Sequence, residues 1–124
     1  MFGFTTISID AKGRLAIPAK YRDQLLSQNE ESIVVTRDPQ YPSLKIYPGS
    51  IWNTISNELQ SLQGLDPIVR NLQWTILGNA NVSSFDPKGR MLILLPLELR
   101  EYAEIKKAEK VSFIGMGNKF EVWS

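Results

Sequence analysis

The chain has 124 residues, 43% hydrophobic and 22% charged, with 14 Lys plus Arg against 13 Asp plus Glu. This is about one ordinary domain, long enough to bury a core and too hydrophobic to stay disordered. There is no His and no Cys, which excludes Ser-His-Asp and Cys-His catalysis, Cys/His zinc sites, thiol redox chemistry and disulfides, and the net charge of +1 does not by itself point to nucleic acid.

Met1 to Thr6 lead straight into an alternating pattern without the apolar run of a secretory signal, so the expected compartment is the cytoplasm. No apolar run is long enough to cross a membrane; Met91 to Leu95 is the longest. Thr5 to Ile9 alternate with period two and predict a half-buried strand. Asp10-Ala11-Lys12-Gly13 predicts a turn, with Asp able to bond the backbone that follows and Gly able to take positive φ. A strand resumes over Arg14–Ile17, and Pro18 opens a short helix with Tyr21, Leu25 and Leu26 on its apolar face. Strands follow over Ser32–Thr36 and Leu44–Tyr47, separated by a turn carrying Asp38-Pro39 and Pro42.

From Pro48 to Gly78 the periodicity turns helical. Ser50 is placed to cap a helix with Ile51, Trp52, Ile55, Leu59 and Leu62 on one face, and Asp66-Pro67 opens a second with Ile68, Val69, Leu72, Ile76 and Leu77. Trp52, Trp74 and Trp123 read as core anchors.

After Asn81 the opening repeats. Asp10-Ala11-Lys12-Gly13-Arg14-Leu15-Ala16-Ile17 lies over Asp86-Pro87-Lys88-Gly89-Arg90-Met91-Leu92-Ile93 at an offset of 76, identical at five of eight positions. The helix-opening prolines, Pro18 and Pro96, are offset by 78, which reads as a two-residue insertion at Leu94-Leu95. Val34-Val35 resembles Phe113-Ile114, Leu44 to Tyr47 matches Phe120 to Trp123 at an offset of 76, and Asn118-Lys119 reads as a hairpin tip. The expected fold is therefore α+β and β-rich, with repeats at 5–48 and 81–124 joined by a two-helix insert at 49–79. A half of this size cannot close a core alone, so pseudo-twofold packing is expected, which suits symmetric binding better than a single enzymatic cleft.

The repeated turn is basic. Through residue 22, Lys12, Arg14, Lys20 and Arg22 oppose only Asp10, a local balance of +3, so the overall +1 is a cancellation between unlike surfaces. A two-stranded ribbon fits the DNA major groove, where Arg bonds guanine O6 and N7 and Lys suits phosphates. The candidate DNA contacts are accordingly Lys12, Arg14, Lys88, Arg90, Lys20 and Arg22, with Arg100 on a helix face that reads as solvated. Asp10, Gly13, Asp86 and Gly89 read as structural turn residues, the carboxylates accepting backbone N–H bonds or pairing with the Arg four residues on. Arg14 and Arg90 fit either internal scaffolding or base reading. An enzyme is disfavoured by the lack of a nucleophile–base pair or metal cluster, and neither cofactor nor small-molecule substrate is expected. A non-enzymatic protein-interaction ring is the alternative class; apolar turn tips would favour it.

Five separated motifs, Ile9 to Arg22, Asp38 to Pro42 with Tyr47-Pro48, Leu77 to Ala80, Asp86 to Arg90, and Gly117 to Trp123, together resemble the MraZ family across essentially the whole chain. The resemblance implies two tandem SpoVT-AbrB, or swapped-hairpin, domains. It also implies a bacterial regulator, expected to repress, that assembles into homo-oligomeric rings in the cytoplasm, at the nucleoid. Such rings bind direct G-rich repeats in double-stranded DNA upstream of their own operon in the division and cell-wall cluster. The family's Asp-x-x-x-Arg signature maps onto Asp10 with Arg14 and Asp86 with Arg90. An AbrB-like antitoxin is the other reading within DNA binders; the tandem repeat and two-helix insert favour the first.

Overall fold

The computed structural model describes residues 1–84, 91–105 and 109–124. Eight strands and four α-helices follow in order: β1 (Phe2–Ser8), β2 (Arg14–Ala16), α1 (Ala19–Ser27), β3 (Ser32–Arg37), β4 (Leu44–Pro48), α2 (Gly49–Ser61), α3 (Pro67–Leu72), β5 (Asn81–Ser84), β6 (Leu92–Leu94), α4 (Leu97–Tyr102), β7 (Lys110–Met116) and β8 (Phe120–Trp123). The α+β class expected from the repeat is what forms.

Six strands make one antiparallel sheet in the order β1-β7-β8-β4-β3-β5, and β2 pairs with β6 in a separate ribbon. Exchanging the first half for the second leaves this order unchanged. The registers behave likewise. Thr5 faces Phe113 as Asn81 faces Val35, and the centres of the two self-related ladders are Leu15 opposite Ile93 and Lys45 opposite Glu121. Each half supplies strands that only the other half can pair.

Alternation decides what is buried. On the inner face of the sheet, Val111, Phe113, Phe120, Val122, Leu44, Ile46, Ile33 and Val35 pack against Leu15, Ile17, Met91, Ile93 and Leu95 of the ribbon and its continuations, and against Tyr21, Leu25, Leu99 and Ala103 of α1 and α4. At the centre, the Phe113 and Phe120 rings lie 4.9 Å apart, with Tyr21 at 5.9 and 5.1 Å. The helices between β4 and β5 cover only part of the outer face. Tyr47 meets Trp52 at 5.8 Å, and the buried Thr36 hydroxyl donates to the Ile76 carbonyl at 2.7 Å.

The register corrects several sequence expectations. Because Val35 faces Ile46 and Phe113 faces Val122, Val35 is the counterpart of Phe113, one residue away from the equivalence that similarity suggests. Leu94-Leu95 is not an insertion. Ile17 N–H bonds Met91 O, and Leu95 N–H bonds Gly13 O in the mirrored contact, so Leu95 is the buried counterpart of Ile17. Ser8 and Ser84 correspond at offset 76, and Gly13 and Met91 at 78, so the two extra residues fall between 84 and 91.

Ser50 does not cap α2. Its N–H (3.2 Å) and hydroxyl donate instead to the Glu30 carboxylate, which caps the helix from across the fold. Asp66 does cap α3, accepting from Ile68 N–H at 2.9 Å, but the helix widens into a π-helical turn over Gln73–Leu77. The tryptophans are not core anchors. Trp52 and Trp123 are half-buried, and Trp74 is 58% exposed with the Arg37 guanidinium 5.6 Å from its ring.

Phe113 sits at the middle of the shared core, so Phe113→Ala is expected to lower the unfolding free energy by about 3–5 kcal/mol, measured by urea denaturation.

Candidate nucleic-acid interface

The chain leaves β1, runs through Ile9, whose N–H still bonds Glu109 O, and reverses at Asp10. The Asp10 side chain organises the reversal. Oδ1 accepts from Lys12 N–H at 2.9 Å and Arg14 N–H at 2.8 Å, while Oδ2 accepts from Arg14 Nε at 2.8 Å. The backbone closes on itself: Asp10 N–H bonds Arg14 O at 2.8 Å, and Gly13 N–H bonds Asp10 O at 3.0 Å. Both structural options for the aspartate, backbone acceptor and partner of the arginine four residues on, are therefore realised at once. The backbone N–H of Arg14, more than its charge, holds the Asp10 carboxyl below the usual carboxylate range.

Gly13 takes φ +84°, a left-handed value that favours glycine. Behind it lies Arg100 of the opposite half. The Arg100 side chain is 6% exposed, and its Nε donates to Leu95 O at 2.9 Å. A Cβ on Gly13 would stand 2.8 Å from that nitrogen. Arg100 is thus a buried prop for the turn and not a solvated helix residue. Sequence gave only a faint sign of this, namely that Arg100 aligns with Arg22.

Not all the candidate cations gather here. Lys12 is exposed at the tip, and the Arg14 side chain is 38% exposed. Arg14 is engaged through Nε; its two Nη groups make no hydrogen bond among the described residues. Lys20 is elsewhere. Its ammonium lies over the Tyr21 ring at 4.8 Å and close to Gly3, at the other end of β1, about 20 Å away by strand rise. Arg22 is half-buried on α1. Asp86, Lys88, Gly89 and Arg90 lie outside the described residues.

Comparison with known proteins places the chain in a family. The family model described as "MraZ protein, putative antitoxin-like" matches residues 1–73 and 76–124. The chain belongs to the MraZ family. Among the MraZ relatives is a protein of Nitrosomonas europaea named "Transcriptional regulator MraZ", 47% identical over 121 residues, covering 98% of this chain and 78% of that one. Proteins of the same name from Hydrogenovibrio crunogenus and Dechloromonas aromatica are 43% and 42% identical, covering 98% of this chain and 78% and 79% of theirs. Among the described residues, no helix is long and apolar enough to cross a membrane.

Two outcomes test the turn. Gly13→Ala is expected to destabilise the fold by about 1–3 kcal/mol in chemical denaturation, since alanine meets both the left-handed φ and the Arg100 side chain. The folded-state depression of the Asp10 carboxyl implies a contribution present above the unfolded carboxylate pKa and lost as pH falls through the folded one. The wild type is therefore expected to unfold at higher urea than Asp10→Asn at about pH 7, the two converging as the pH approaches about 2. A gap that persists in acid would rule out the charged carboxylate as its source.

Proposed function

We propose that the chain is a sequence-specific regulator of transcription that reads double-stranded DNA with the Asp10–Arg14 turn. The observation that carries this is the way Asp10 holds Arg14. The bond through Nε fixes the guanidinium, and among the described residues nothing bonds the Nη groups, which a partner could then use. Guanine offers O6 and N7 to such a group in the major groove, and an arginine already held loses less freedom on binding. Lys12, a point charge at the tip, takes a phosphate. Lys88 and Arg90 are the candidate contacts of the second turn, but the counterpart of Arg14 in the ribbon is Leu92, since Arg14 pairs Leu94 as Leu92 pairs Ala16. Two more residues separate the flanking ladder positions there, so the second turn is not a copy of the first.

The name carried by the relatives supports regulation of transcription. The family resemblance supports direct G-rich repeats as targets, placed upstream of the protein's own operon in the division and cell-wall cluster. It also supports repression as the outcome, the nucleoid as the place, and a homo-oligomeric ring as the assembly. The charge of +1 gives the ring a physical purpose. One chain holds DNA weakly, and several turns meeting successive repeats gain through effective concentration. The proposal needs no catalysis and no cofactor.

Gel shifts on a duplex selected from a random library separate the two side chains. Arg14→Ala is expected to lose preference for the selected site over scrambled DNA, by a factor corresponding to about 1–3 kcal/mol. Lys12→Ala is expected to weaken binding to both and to reduce the salt slope by about one. Discrimination unchanged in Arg14→Ala would remove base reading by this residue.

A further inference from the structure

The two edges of the six-stranded sheet are β1 and β5. Hydrogen-bond parity shows which of their backbone groups face outward. Met1 and Gly117 exchange bonds, and Ile9 N–H bonds Glu109 O, so the odd residues of β1 bond β7 and Phe2, Phe4, Thr6 and Ser8 point away, the Phe2 carbonyl accepting from the Tyr21 hydroxyl at 2.8 Å. On the other side, Asp38 N–H bonds Ser43 O, so the even residues of β3 bond β4 and the odd ones bond Asn81 and Ser83, leaving Val82 and Ser84 outward.

The two edge strands themselves carry no charged residue and no proline to oppose pairing. β1 reads Phe-Gly-Phe-Thr-Thr-Ile-Ser and β5 reads Asn-Val-Ser-Ser. The exposed apolar side chains on the two edges are Phe2 at 78%, Phe4 at 64% and Val82 at 67%. By the alternation of the sheet, all three lie on its outer face.

We propose that β1 of a second copy of this chain pairs antiparallel with β5, head to tail, continuing the sheet from one copy to the next. This rests on the multi-copy reading above and names its interface. Three features of the sheet favour this occupant. Six alternating strands leave β1 and β5 running in opposite directions, so a copy laid alongside with the same face outward meets antiparallel.

The outer-face side chains then match. Beside β5 lies a groove of about 510 Å³ bounded by Val34, Val82, Trp52 and the Gln28–Ser32 loop, open to the phenylalanines of an incoming β1. Charges match as well. Antiparallel pairing brings the Ser84 end of β5, beside Glu30 and Glu31, to the Gly3 end of the partner's β1, where the Lys20 ammonium lies. Such a contact uses two different surfaces, and it closes into a ring when the rotation between copies divides the circle.

The test uses the full chain and light scattering coupled to gel filtration. Wild type is expected to run as an oligomer of several chains. Phe4→Asp and Val82→Asp, each with a native circular dichroism spectrum, are expected to run as monomers. Their equimolar mixture is expected to give a dimer and nothing larger, because each retains the edge the other has lost. Hydrogen exchange on wild type does not depend on the variants: the Phe4, Thr6, Val82 and Ser84 amides are expected to be at least tenfold more protected in the oligomer than after dilution to monomer. An oligomeric wild type with those amides unprotected, or one that neither substitution disrupts, overturns the edge contact and leaves the multi-copy reading standing. Val82→Asp dimerising alone overturns the head-to-tail arrangement in favour of β1 against β1. A monomeric wild type overturns both readings.

Discussion

Of the six strand pairings among the described residues, four join the first half of the chain to the second: β1 with β7, β2 with β6, β3 with β5, and β4 with β8. Only the hairpins β3–β4 and β7–β8 are local. Everything else follows from this interleaving. The core residues Leu15 and Ile93 meet because β2 and β6 cross at their centres, and the first-half turn rests on Leu95 and Arg100 of the second half. A turn braced this way has little freedom of its own. Asp10 fixes its backbone from within, Arg100 fills the space behind Gly13, and Arg14 is oriented before any partner arrives.

The same exchange relation explains where the two halves differ. On the outer face, α2 and the π-helical turn cover Val34, Thr36 and Tyr47, whereas Phe2, Phe4 and Met116 on the other side are exposed. The sheet is therefore symmetric in its hydrogen bonding and unsymmetric in its surfaces, which suits a contact between unlike edges. The turns also differ, through the two extra residues between Ser84 and Met91. The net charge of +1 belongs with this arrangement, with cations at the Lys12–Arg14 tip and acids at the Glu30–Glu31 groove.

Much of this was legible in the sequence. The duplicated Asp-x-x-Gly-Arg turn, period-two alternation and proline-opened helices gave the α+β class, the order of elements and the Asp10 turn, because each depends on local chemistry. What was missed depends on partners distant in sequence. Similarity put the two-residue gap at Leu94-Leu95, since Arg90-Met91 matches Arg14-Leu15 in type; only the ladder shows that Leu95, buried like Ile17, occupies the equivalent place. Arg100 looked solvated because its helix is short and polar, and its prop against Gly13 comes from the other half. Glu30 capping α2 across the fold had no local signal, and Lys20, close to the turn in sequence, is separated from it by the length of β1.

The central claim is that Arg14, held by Asp10, bonds a guanine edge. The most direct measurement compares wild type and Arg14→Ala on a selected duplex in which single guanines are replaced by 7-deazaguanine, which lacks the N7 acceptor. The account predicts one position where the replacement weakens wild type by about 1 kcal/mol or more and leaves Arg14→Ala unaffected. Equal losses in the two proteins at every position, or none in wild type, would contradict it.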